Sequence, residues 1–289
     1  MSRSPLIDFL TISRYLADRK IEHKKTKERM NTLTENQKRL LEKVRMESRH
    51  RAQRVIQRAK LRKHQKRKLR LARQKLEHSD IVINRNLRDQ YRDERIIDSF
   101  LMIGRMLNKI EIGDFTGGIH DQTFRTRLLA EFKLYGATQD LQVIFSHMHD
   151  SERPSYGAVA YLKIPTSLSP LIHYGSHRFV LKNELRMSAT FTPFDSFLIE
   201  RDQVYVWDDI DGVLATKLNG RFWFEYVLEG TEPVATREGV HYIEAQILGG
   251  VHLSDINRLY YPVADQVDYG FFAKLKKFEL DHGIELVHY

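Results

Sequence analysis

HRFVLKNELRMSATFT, residues 177–192, decides the fold class of this chain. His177–Leu181 and Met187–Thr192 are short runs rich in Val, Phe and Thr, the composition of strands. Ser188, Thr190 and Thr192 alternate with Met187, Ala189 and Phe191. Successive side chains of a strand point to opposite faces, so a strand here puts the three hydroxyls on one face. Comparable runs lie on either side: Tyr156–Ile164, Gln203–Trp207, Arg221–Leu228 and His241–Leu248. Gly175, Pro193, Gly212, Asn219-Gly220, Pro233 and Gly249-Gly250 punctuate them. Helices are expected over Asp121–Tyr135 and Tyr269–Leu280. Residues 111–289 thus read as an α+β domain built on a largely antiparallel, mixed β-sheet.

The preceding 110 residues have another texture. They hold 31 Lys and Arg against 13 Asp and Glu, a balance of +18, whereas residues 111–289 balance at −9. Good helix formers dominate, and Gly104 is the one glycine. Thr34 followed by Gln37 reads as a capping box opening a helix from about Glu35 to Leu76. Between Glu47 and Glu77 there are 13 basic residues and no acid. His78-Ser79-Asp80 reads as a break before a second long helix over Ile81–Leu107. The expected organisation is a basic helical region, 1–110, followed by the α+β domain, 111–289.

Several classes are excluded. With no cysteine, the chain has no disulfide, thiol nucleophile or cysteine zinc site. No run of about 18 apolar residues reads as a membrane span. There is no phosphate loop, dinucleotide glycine fingerprint, His-Glu-x-x-His or Gly-x-Ser-x-Gly. His147, His149 and Asp150 lie close enough in sequence to ligate a metal, but a solvated polar segment is the favoured reading, and no metal is expected. Arg153 opens a strand at Arg153-Pro154-Ser155-Tyr156-Gly157; it is either an anion-gripping fork or a turn arginine paired with Glu152. Glu244 and Gln246 share one face of a strand, opposite Ile243, Ala245 and Ile247. A carboxylate there can stabilise a developing cation and an amide can position a nucleophile; an edge strand facing water explains the pattern equally well.

The order of the segments adds a resemblance. ERPSYGAVAYL (152–162), YGSHRFVLKNELRMSATFTPFDS (174–196), YIEAQILGG (242–250) and VHLSDI (251–256) together resemble a bacterial family with RPxYGAL, TFTxGDS and YxEAQ segments in this order. That family looks like a divergent branch of the mono-ADP-ribosyltransferases, related to toxins and Legionella-type translocated effectors. The resemblance covers roughly residues 115–262. It implies transfer of ADP-ribose from NAD to a protein side chain, arginine first, with release of nicotinamide. It also implies a bacterial protein exported into another cell. NAD is then a substrate, and no metal is needed. By position in the motifs, Glu244 matches the glutamate that binds the nicotinamide ribose. Ser188, Thr190 and Thr192 match the scaffolding Ser/Thr strand. Arg153, followed by Tyr156 in its motif, or Arg127 on the preceding helix, matches the arginine that holds NAD phosphate. Arginine-modifying relatives carry Glu-x-Glu where this chain has Glu244-x-Gln246, so Asp195 is the candidate second carboxylate. Phe194 replaces the glycine of TFTxGDS.

The basic region lies outside this resemblance. An acidic surface on the protein target is the favoured partner. A nucleic-acid-binding module is the alternative; residues 16–90 contain no Phe, Tyr or Trp for stacking on single strands, which disfavours it.

Overall fold

The computed structural model describes residues 24–91, 94–112, 124–135, 139–160, 174–196, 203–218 and 242–289. The expected strand Arg221–Leu228 lies outside these residues.

The fold is mixed, with helices around an eight-stranded sheet. The strands are β1 (Asp80–Arg85), β2 (Ser155–Ala160), β3 (His177–Leu181), β4 (Ala189–Thr192), β5 (Tyr205–Val206), β6 (Glu244–Ile247), β7 (Ile256–Tyr261) and β8 (Glu285–His288). Their spatial order is β8-β7-β3-β1-β2-β6-β4-β5. Every neighbouring pair is antiparallel except β7 and β8, which are parallel. The largely antiparallel mixed sheet is therefore observed.

One expectation is overturned. The helix expected over Ile81–Leu107 is strand β1, then a tiny hairpin pairing Gln90–Tyr91 with Glu94–Arg95, then the two-turn helix Ile96–Ile103. Ile81, Val82 and Ile83 are buried on both faces of the sheet. A strand buried on both sides shows an unbroken apolar run, and three consecutive β-branched residues favour extended backbone. β1 is an interior strand, paired with β2 and β3, so the sheet includes part of the basic region.

The helices are α1 (Glu35–Arg58), α2 (Lys63–Glu77), α3 (Ile96–Ile103), α4 (Phe124–Tyr135), α5 (Gln139–Ser146), α6 (Ile210–Lys217) and α7 (Tyr269–His282). Thr34 and Gln37 form the expected capping box of α1: Thr34 Oγ1 accepts from the Gln37 N–H, and Gln37 Oε1 from the Thr34 N–H. The single long helix expected here is two, broken at residues 59–62, where Lys60 takes a left-handed conformation (φ 44°).

One face of the sheet carries the main core. Ile83, Phe179, Phe191, Ile243, Ala245 and Ile247 pack there with Leu76 of α2, Phe100 of α3, Val213 of α6 and Phe278 of α7. Phe100 meets both Phe179 and Phe278 edge to face, with centroids 5.5 and 5.6 Å apart. α1 belongs to the same packed body. Its Leu40, Leu41 and Val44 are buried with Leu134, Tyr135, Phe145 and Val206. Its Ser48 hydroxyl accepts from the Val206 N–H, and Arg51 donates to the Val204 carbonyl. Residues 24–31 are helical as well. From this segment the buried Arg29 donates to Ser188 Oγ, the Leu248 and Gly250 carbonyls and Asp255.

Candidate functional site

The face of the sheet opposite the main core carries the polar residues singled out above. Register places them in two rows. Tyr156, Gln246 and Thr190 lie side by side across β2, β6 and β4, and Ala158, Glu244 and Thr192 form the next row. Alternation on β6 turns Ile243, Ala245 and Ile247 into the core and leaves Glu244 and Gln246 on this face.

Hydrogen bonds join the rows. Thr190 Oγ1 donates to Gln246 Oε1 (2.9 Å). Gln246 Nε2 donates to Thr192 Oγ1 (3.0 Å) and to Glu244 Oε1 (2.9 Å). The amide orientation is thereby fixed from both ends, and Gln246 serves as a positioning residue for the Glu244 carboxylate. The phenol of Tyr135, at the end of α4, lies 2.9 Å from Thr190 Oγ1 and closes the chain of bonds.

Glu244 also faces a second group. Its Oε2 accepts from the Tyr242 hydroxyl (3.3 Å) and from the Ser196 N–H (3.4 Å). Asp195 Oδ2 accepts from Tyr174 (3.0 Å) and from Tyr242 (3.3 Å), and the two phenol oxygens lie 3.1 Å apart. Tyr242 therefore bridges the two carboxylates. Burial, then the charges of Glu244 and Asp195, push its pKa well above the ordinary phenol value. Burial and the charge of Asp195 push Tyr174 the same way. Both phenols stay protonated at neutral pH and act as donors. Glu244 is 4% exposed, and the hydroxyl of the neighbouring Ser196 makes no hydrogen bond although it is buried.

Arg153 sits under α4 and α5. Its guanidinium is 4.1 Å above the Phe145 ring, donates to the Met148 carbonyl (3.3 Å) and lies 3.7 Å from Glu131 Oε2. Its acidic neighbour is thus Glu131 of α4, where the sequence offered Glu152. Glu131 in turn accepts from the Tyr156 hydroxyl (2.9 Å), which links Arg153 to the first polar row. Arg153 is 7% exposed, yet its Nε and Nη1 make no hydrogen bond.

The other expected residues divide. Asp195, Thr190, Thr192, Tyr156, Glu244 and Gln246 come together. Ser188 falls outside the rows: it ends the 3-10 segment Asn183–Ser188, and its hydroxyl serves Arg29 and the Leu185 carbonyl. The side chain of Arg127 lies outside the described residues. The glycine of the RPxYGAL-like segment, Gly157, admits a close approach by the protein itself: a Cβ there would lie 2.6 Å from the Val82 carbonyl oxygen of β1. Tyr135, Glu131 and Ser196 were not singled out by sequence. Tyr242 was within reach, since it precedes Glu244 by two and so shares its face.

His147 and His149 are engaged locally: His147 Nδ1 lies 2.7 Å from the Val143 carbonyl oxygen, and His149 Nδ1 accepts from the Ser151 N–H. Among the described residues no three His, Cys, Asp or Glu side chains gather as a metal-binding group. Among the same residues no helix is long and apolar enough to cross a membrane. Compared with known proteins, the chain matches no family model and no curated sequence.

Proposed function

We propose that the chain is a mono-ADP-ribosyltransferase that cleaves the nicotinamide–ribose bond of NAD and transfers ADP-ribose to a protein side chain, with an arginine guanidine as acceptor. The observation that carries this reading is the Glu244 carboxylate, fixed on a rigid strand by Gln246, Tyr242 and the Ser196 N–H. It is supported by the resemblance of the segments around residues 152–162, 174–196 and 242–256 to that family.

NAD is the substrate, and the residues present suit its groups. The Arg153 Nε, which makes no hydrogen bond, is a donor for a phosphate oxygen, and the unfilled Ser196 hydroxyl lies beside the carboxylate assigned to the ribose. Breaking the C1–N bond sends its electron pair to the pyridinium nitrogen, and neutral nicotinamide leaves. The sugar passes through an oxocarbenium-like state, whose positive charge Glu244 stabilises. The acceptor nitrogen then forms a bond to C1 and loses a proton. Asp195, hydrogen-bonded to both Tyr174 and Tyr242, is the carboxylate assigned to take it. Gln246 has no acid–base role here and holds the ribose-binding carboxylate in place.

Labelled NAD and nicotinamide release test the reading. Glu244→Gln should lower the rate by about 10²–10³, the size of one lost electrostatic contact in a transition state. Wild-type release by this variant, or no nicotinamide release by the wild-type chain with any cell lysate, would overturn it.

A further inference from the structure

We infer that the basic corner where α1 meets α2 is a docking surface for the phosphate backbone of double-stranded DNA. This does not rest on the NAD chemistry.

The inference starts from a cluster of exposed cations in an acid-free stretch. Along α1, Lys38 pairs with Glu35, Lys43 with Asp140 and Arg51 with Glu47. On α2, Arg73 pairs with Glu77. Between them, Arg54 and Arg58 close α1, and Lys60 and Arg62 form the turn. Lys63, Lys66, Arg67 and Arg70 follow along α2. All eight side chains are exposed, and the stretch contains no acid.

A face that only needs solvation alternates its charges. Here like charges stand three and four residues apart, as in Arg54–Arg58 and Lys63–Lys66–Arg67–Arg70, which weakens a helix by a few tenths of a kcal/mol per pair. Lys60 adds a second cost: the turn holds a lysine in the left-handed region, where glycine or asparagine is the unstrained choice. Repulsion and strain are both retained at one corner. That corner is held rigidly, because α1 and α2 bury Ala52, Leu69, Ala72 and Leu76 in the main core.

The chemistry of the surface selects the partner. Leu71, 47% exposed, is the one large apolar side chain exposed on α2 among the described residues. A lone leucine is neither the aromatic anchor of a protein interface nor the set of apolar side chains that a helix inserts into an anionic membrane. Single strands need aromatic platforms, and residues 16–90 contain none. A duplex backbone asks only for cations and N–H donors. Lys63, Lys66, Arg67 and Arg70 lie on one face of a helix, which the major groove of B-form DNA admits and the narrow major groove of A-form RNA does not. The exposure of these side chains thus reverses the order read from composition, in which an acidic protein target came first.

The test is fluorescence anisotropy of the full chain with a labelled 20-bp DNA duplex of random sequence, from 50 to 200 mM KCl. Roughly four to six phosphate contacts give a slope of log K against log salt of about −4 to −5, and a loss of about 10²–10³ in affinity over this range. The variant K63Q/K66Q/R67Q/R70Q should bind at least tenfold more weakly at 50 mM salt, with a slope shallower than −2. The pair R54Q/R58Q, on the other helix, should lower the slope by about 1–2. K276Q, on α7, should leave binding unchanged. Circular dichroism confirms that each variant is folded. A wild-type slope shallower than −2, unchanged binding by both folded variants, or tighter binding to poly-glutamate, phosphatidylserine vesicles, a 20-nt single strand or an RNA duplex than to the DNA would overturn the inference.

Discussion

Replacing Arg29 by methionine should destabilise the protein more than any substitution on the exposed basic faces. Arg29 is 7% exposed. It donates to Ser188 Oγ (3.2 Å), Asp255 (3.2 Å) and the carbonyls of Leu248 (2.9 Å) and Gly250 (2.6 Å). Methionine keeps most of the stem and removes all four donations. The two buried carbonyls lose this donor, and the Asp255 carboxylate, 17% exposed, keeps the His252 N–H. Removing one partner of a buried charge pair costs about 3–5 kcal/mol, and each stranded polar group contributes about 1–3 kcal/mol of that. Against a typical total stability of about 5–15 kcal/mol this is a large fraction. The melting temperature should fall by roughly 10 °C at the usual sensitivity for a chain of this size. Arg29→Lys keeps a charge for Asp255 but cannot reach both carbonyls, so it should cost about half as much. Urea denaturation at neutral pH measures all three proteins, with Arg54→Met as the exposed control, expected within about 0.5 kcal/mol of wild type. A cost below 1 kcal/mol for Arg29→Met would show that residues 24–31 are not part of the cooperative fold.

Three further outcomes follow from particular contacts. Lys217, 2% exposed with its ammonium 4.6 Å above the Phe194 ring, is held by burial well below the ordinary lysine pKa. The unfolded chain then binds more protons, so stability should climb as pH rises toward 10.5; Lys217→Met should remove that climb, and a climb retained by the variant in chemical denaturation would contradict it. Gly157→Ala should cost about 1–3 kcal/mol, because its Cβ would meet the Val82 carbonyl of β1, and calorimetry showing an unchanged melting temperature would count against the β1–β2 register. For Asp265, burial raises the pKa, but hydrogen bonds from His177 and Arg88 outweigh it and hold the carboxyl below its ordinary range. Its contribution is present above the unfolded value of about 3.9 and is lost as pH falls through the lower folded value, so Asp265→Asn should flatten the acid limb of the stability curve below about pH 5, and a steep limb retained in the variant would rule that out.

Alternation was the legible signal. His177–Leu181 is observed over the residues read from sequence, and period two alone put Glu244 with Gln246 on one face of their strand and Thr190 with Thr192 on one face of theirs. What alternation does not carry is register, so the pairing of Gln246 with Thr190 and Glu244 with Thr192 appeared only in three dimensions. Parity also fails where a strand is interrupted: the 3-10 segment Asn183–Ser188 turns the Ser188 hydroxyl to Arg29. β1 was misread because Ile81, Val82 and Ile83 are buried on both faces and do not alternate, while the helical spacing of Ile96–Leu107 was extended back across them. The acid beside Arg153 is Glu131, across a loop and a helix, a distance that local spacing does not encode. Tyr135 belongs to the same class, since its role depends on how α4 crosses the sheet.

The interior position of β1 has a consequence for the chain as it is made. Val82 pairs with Ala158 and Asp80 with Ala160 on one side, and Arg85 with His177 on the other, so the partner residues follow by 76–80 positions in β2 and by 92 or more in β3. At about 5–20 residues per second of synthesis, β1 waits roughly 5–20 s for both neighbours. During that interval Ile81-Val82-Ile83 is an open-edged, β-branched segment of the kind that recruits other chains. Asp80 and Arg85 bracket it with charge. The acid-free stretch that precedes it keeps the emerging segment strongly positive, and nascent chains so charged repel one another. The uneven charge along the sequence therefore also acts as a guard for the strand on which the whole sheet later closes.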